Sequence, residues 1–142
     1  MADATVKQRQ RPGSPMRLIE ATQYRLPPAA VVSILHRLSG IVMFVLMPFI
    51  IWMFDTSLTS EISYSQFTSV FTAGYGFLPA WFVKIVVLGL IWAYLHHFLA
   101  GLRHLWMDAT HAVTKEFGRS SALATLAVSV LLTLALGFKL FF

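Results

Sequence analysis

The 142-residue sequence has no cysteine. Disulfides, cysteine-ligated iron–sulfur clusters and a thiol nucleophile are therefore excluded from this chain. Charge is scarce as well, at 12% of residues, where soluble domains carry about a quarter. Only six residues are acidic, and none stands inside a long apolar run. No carboxylate pair and no acidic cation pathway thus reaches bilayer depth, which argues against a channel or transporter. A catalytic triad, a phosphate-cradling glycine loop and a dinucleotide fingerprint are missing too. Without them the chain cannot take electrons from a soluble substrate on its own.

What the sequence has in abundance is apolar surface, at 57% of residues, with a formal net charge of +5. Such a surface matches lipid better than a single soluble core. The basic residues gather before the first apolar run and around the end of the second. That distribution suits membrane orientation and not a nucleic-acid interface.

Residues 1–28 read as a basic cytoplasmic arm, in which Lys7, Arg9, Arg11, Arg17 and Arg25 outweigh Asp3 and Glu20. Pro12, Gly13 and Pro15 oppose one long helix there. The arm lacks the short apolar core of a secretory signal, and its Asp3, Pro and Gly count against a mitochondrial presequence. Residues 29–142 read as three membrane spans, at about 29–54, 80–104 and 123–142. Each reaches the roughly 20 residues that cross the hydrocarbon. Pro48 predicts a kink in the first span. Between the spans, Asp55–Pro79 is a loop without Lys or Arg, with a short interfacial helix at Ser63–Phe71 and a turn at Gly74-Tyr-Gly76. The Asp108–Ser121 segment is a polar loop in which Ser120 or Ser121 caps the next helix. The expected fold is an all-α membrane protein: three transmembrane helices in an up-down-up bundle, with the N-terminus and second loop in the cytoplasm by their positive charge.

Ionisable groups at bilayer depth are costly and are functional candidates. His97 lies seven residues before His104, so about 10 Å deeper. His97, Gly101 and His104 share one helix face, while His96 points roughly 100° away. A small residue one turn from a ligand admits a flat macrocycle or another helix. On the first span Ser33 and Arg37 share a face and His36 joins Ser33, at a depth close to that of His97. Imidazole is the usual protein ligand of membrane haem. Each residue also has a plainer reading. His96 and His97 can be histidines bonded between helices, Arg37 can snorkel, and Ser33 can bond back to its own helix. Arg103, His104 and Asp108 can form a solvated helix end, or a proton route to a buried redox site. His36 and His97 together could ligate one haem, although Arg37 beside His36 would crowd it.

Two motifs sharpen the reading. Ser33-Ile-Leu-His-Arg-Leu-Ser-Gly40, followed by His97-x3-Gly101-x-Arg103-His104-x3-Asp108, resembles the cytochrome b membrane-anchor subunit of succinate dehydrogenase, respiratory complex II, of proteobacterial type. The resemblance covers nearly the whole chain. It implies a haem b shared with a second small membrane-anchor subunit, with His97 as this chain's axial iron ligand and the other ligand from that partner. It implies Ser33 and Arg37 at a ubiquinone site, and His36 and Arg37 near the haem propionates, with Arg103, His104 and Asp108 in the same cofactor region. Electrons would arrive from succinate through a flavoprotein subunit and an iron–sulfur subunit, so the chain would not be an enzyme alone. Where relatives often carry Ser-Pro-His in the arm, Ser14-Pro15 is followed here by Met16. A bacterial inner membrane is expected in preference to the mitochondrial one. Two alternatives stand beside this reading: the anchor of a quinol:fumarate reductase, and a haem-free structural or assembly anchor.

Overall fold

The computed structural model describes residues 26–141; the expectations for the basic arm fall on residues outside that range. The described residues form helices α1 (Pro28–Val45), α2 (Met47–Leu58), α3 (Glu61–Ser69), α4 (Ala80–Thr110) and α5 (Lys115–Phe141). Three of them, α1, α4 and α5, are long and apolar enough to cross a membrane. The protein is thus an all-helical membrane protein of three spans.

The first span is two helices where one kinked helix is expected. Pro48 has no N–H to donate to the Phe44 carbonyl one turn back in α1. The chain steps at Leu46 (φ −88°, ψ 3°) before helical bonding resumes with Ile50 N–H to the Leu46 carbonyl at 3.0 Å. The remaining boundaries are longer than polarity alone implies. The span ends expected from polarity are Phe54 and His104, yet α2 runs to Leu58 and α4 to Thr110. The expected cap at Ser120 or Ser121 is corrected to Thr114, whose Oγ1 accepts the Phe117 N–H at 3.2 Å. Ser120 and Ser121 lie inside α5. Their hydroxyls bond within the helix or to a neighbour without ending it.

The interfacial helix exists as α3, shifted two residues towards the N-terminus. A capping box sets its start: Ser60 Oγ accepts from Ser63 N–H at 3.1 Å and Ser63 Oγ accepts from Ser60 N–H at 2.9 Å. The turn at Gly74–Gly76 is also present. Gly74 has φ +90°, and a Cβ there would run into the Leu78 carbonyl.

Helix α4 is the centre of the bundle, packing against both α1 and α5, which also touch each other. Val32, Ala100 and Ala122 are fully buried where the three meet. The inward stripe of α5 is Ala122, Thr125, Ser129, Thr133 and Gly137. Small side chains let the helices approach, and their hydroxyls satisfy backbone carbonyls, as Thr133 does with Ser129. The large residues point outward: Leu131 and Phe138 are exposed. Small-inside, large-outside is the arrangement of a bundle whose solvent is lipid. At the end away from the α4–α5 connection, α2, α3 and the start of α4 enclose a cavity of about 600 Å³ with an aromatic lining that includes Phe49, Trp52, Phe67 and Phe71.

Candidate functional site

The α1–α4 crossing brings the expected histidines together. The His36 and His97 rings stack with centroids 4.1 Å apart and planes 23° from parallel. His104, two turns further along α4, lies 5.5 Å from His36. The crossing is close because each ring lies over a glycine of the other helix. A Cβ on Gly40 would stand 2.9 Å from His97 Cε1, and one on Gly101 would stand 3.8 Å from His36 Nε2. The approach expected at Gly101 is thus made by His36. The tighter one, at Gly40, carries no mark in a sequence scan for polar side chains.

The hydrogen bonds fix the chemistry of His97. Its Nδ1 lies 2.9 Å from the His36 carbonyl oxygen. A carbonyl can only accept, so Nδ1 carries the proton and Nε2 holds the free lone pair. Ser39, itself buried, adds a second anchor: its hydroxyl donates to the same carbonyl at 2.9 Å and stands 3.3 Å from Nδ1. An imidazole held through Nδ1–H to a carbonyl, with Nε2 open, is the arrangement found in metal-ligating histidines. The residues therefore fit a single axial ligand to a haem iron. They do not fit two from this chain, since axial imidazoles must point their nitrogens at one iron from opposite sides, and stacked rings cannot. Among the described residues there is no group of three or more metal-ligating side chains, and an iron held in a porphyrin needs none.

His96, next to His97, faces the other way and is fully buried against α5. His96 Nδ1 stands 3.4 Å from Ser129 Oγ, whose hydroxyl also reaches the Leu126 carbonyl at 3.0 Å. The ring stacks on Trp92, and beyond a loose interaction with the Val32 backbone of α1 its buried Nε2 has no well-formed hydrogen bond among the described residues. For this residue the plainer expectation holds, a histidine bonded between helices.

The remaining candidates divide. Ser33 is half-buried on α1 and Arg37, one turn on, is exposed. Among the described residues Arg37 has no side-chain hydrogen bond or ion pair, so they do not supply the anionic partner its depth requires. Arg103 is tied down: Nε donates to Ser121 Oγ at 2.9 Å and a terminal nitrogen donates to the Gly118 carbonyl at 3.1 Å. It braces the α4–α5 connection. Asp108 is exposed on the last turns of α4, away from the histidine stack.

Comparison with known proteins then gives the lineage. A family model described as the succinate dehydrogenase/fumarate reductase transmembrane subunit matches residues 7–136. The chain belongs to this family. Among its relatives is a succinate dehydrogenase cytochrome b556 subunit of Paracoccus denitrificans, 33% identical over 129 residues that cover 91% of each chain. A protein of the same name from Coxiella burnetii is 32% identical over 78% of this chain and 84% of its own. Another from Rickettsia felis is 26% identical over 89% of this chain and 90% of its own. The three-span bundle is thus that of a transmembrane subunit of this family, and the histidine-bearing α1–α4 crossing lies within the matched region.

Proposed function

We propose that the chain is the cytochrome b anchor of a bacterial succinate:ubiquinone oxidoreductase. It binds haem b through His97 and helps to form the site where quinone is reduced. The observation that carries this reading is the state of His97. In a chain of this family, a half-buried imidazole deep in a span has its Nδ1 proton committed to the His36 carbonyl and its Nε2 free.

Bound haem supplies a one-electron carrier within the membrane. The chain's residues do the rest. His97 ligates, while His36 and Ser39 hold its tautomer and its tilt. A second small anchor subunit would supply the iron's other protein ligand. Arg37, cationic and unpaired among the described residues, binds anionic or carbonyl oxygens: a haem propionate, the quinone, or both. Ser33, one turn before it, donates a hydroxyl to the quinone carbonyl. His104 and Asp108 lead from the stack towards the aqueous phase and carry protons to the reduced quinone. Arg103 keeps the connection on which they sit in place. Electrons come from succinate through flavoprotein and iron–sulfur subunits docked on the Arg37 and His104 end. That end faces the cytoplasm, in an inner membrane. The relatives' names favour succinate oxidation over the fumarate reductase direction that the family description also covers.

A reduced-minus-oxidised visible spectrum of the purified complex tests the reading. Wild type should give a low-spin b-type signal, and His97→Ala should lose it while the subunits stay together. An undiminished signal in the variant overturns the ligand assignment, and no signal in wild type leaves the haem-free anchor. Ser33→Ala and Arg37→Ala should lower quinone reductase activity more than haem content; full activity in both would remove them from the quinone site.

A further inference from the structure

We propose that Gly40 is a positioning residue for the His97 imidazole: the absence of a side chain there sets the plane in which the ring presents Nε2. This deepens, and rests on, the reading of His97 as the axial ligand.

Three restraints meet on one ring. The His36 ring covers it at 4.1 Å. The bond from Nδ1 to the His36 carbonyl, 2.9 Å long, holds one edge. The backbone of Gly40 closes the slot, since a Cβ there would stand 2.9 Å from Cε1 and 3.3 Å from Nδ1. Carbon contacts settle at about 3.5–4.0 Å, so an added methyl must displace the ring. The ring has little room to yield. Rotation about its Cβ–Cγ bond breaks the hydrogen bond that sets the tautomer, and translation is blocked by His36 on one side. What remains is a tilt that re-aims Nε2.

The same α1 turn thus does two things. Ser39 and the His36 carbonyl choose which nitrogen is open, and Gly40 chooses where it points. Of the other span glycines Gly137 is also tight, but its neighbour is the flexible end of Leu88 and not a ring held by a hydrogen bond. A Cβ on Gly101 makes an ordinary 3.8 Å contact with His36, and one on Gly89 meets nothing within 4 Å.

Ligand-plane orientation has its own spectroscopic signature. In low-spin ferric haem, the splitting of the iron d orbitals, and with it the largest g-value, follows the planes of the axial imidazoles. The experiment is electron paramagnetic resonance on the purified full complex, comparing wild type, Gly40→Ala and Gly89→Ala. Gly40→Ala should keep the assembled subunits and show a displaced largest g-value, or lose haem without losing assembly. Gly89→Ala should match wild type. Haem retained in Gly40→Ala with wild-type g-values overturns the proposal.

Should Gly40→Ala fail to assemble, the double variant Gly40→Ala/His97→Ala decides. With the ring removed, the methyl has space, so assembly should return to the level of His97→Ala alone. Equal failure in both would make Gly40 a helix-packing residue and sink the idea. The underlying reading fails separately: a wild-type complex without haem, or His97→Ala with an unchanged signal, shows the fault to lie in the ligand assignment and not in Gly40.

Discussion

The two faces of α4 use the same materials to opposite ends. Towards α1 stands His97, with Ser39 beside it; towards α5 stands His96, with Ser129 beside it. On His97 the proton stays on Nδ1 and Nε2 is left as an acceptor. On the α5 side the ring is sealed by Trp92, a stripe of small residues and the Val32 backbone. On the α1 side a glycine and a stacked histidine hold the ring while leaving it partly open. Adjacent histidines can therefore differ completely in surroundings, and the difference lies in what the neighbouring helix omits.

Breaking that contrast should have its largest effect at His97. His97→Ala should remove the haem spectrum altogether, whereas His96→Ala should leave it, as visible difference spectra of the two complexes will reveal. Next in size is the brace that holds α4 to α5. Arg103→Ala leaves the Gly118 carbonyl and Ser121 hydroxyl without their donor, which should lower stability by about 1–3 kcal/mol. A thermal denaturation series on the complex reads this, and an unchanged midpoint would relieve Arg103 of its bracing role. His96→Leu replaces a buried ring, whose contacts with Ser129 and the Val32 backbone are both weak, with an apolar group of similar bulk, so stability should change by less than about 1 kcal/mol in either direction. A large loss would mean that Nε2 has a partner in the assembled complex. Smallest of all should be Ser129→Ala, about 0.5 kcal/mol, because the 3.4 Å contact to His96 is long.

Much of this is legible in the sequence. The similar depths of His36 and His97 follow from counting residues inwards from the span ends; that their rings meet depends on which faces of the two helices cross, and depth alone does not give it. The opposite facing of His96 follows from 100° per residue. Pro48 announces the interruption in the first span. The helix ends are less legible, because residues 105–110 and 115–122 lie outside the expected spans yet are still helical: polarity marks where lipid stops, not where hydrogen bonding stops. The partners of Arg103 and His96 lie on α5, and only the small-residue spacing of Ala122, Thr125, Ser129 and Thr133 hints that this face turns inward. Gly40 is least legible, since its contribution is the space it leaves.

The length of α4 has an electrical consequence. Trp81 and Trp106 are both exposed near its ends, about 38 Å apart along the axis, a separation suited to seating one indole in each interface. His97 is nine residues from Trp106, so about 14 Å from that indole. An electron delivered from the Trp106 side to a carrier at His97 crosses roughly a third of the membrane field. At about 2.3 kcal/mol per charge per 100 mV for full crossing, the step feels only about 0.8 kcal/mol per 100 mV. A carrier at that depth would thus be coupled to the voltage across the membrane about a third as strongly as a charge that crosses it fully.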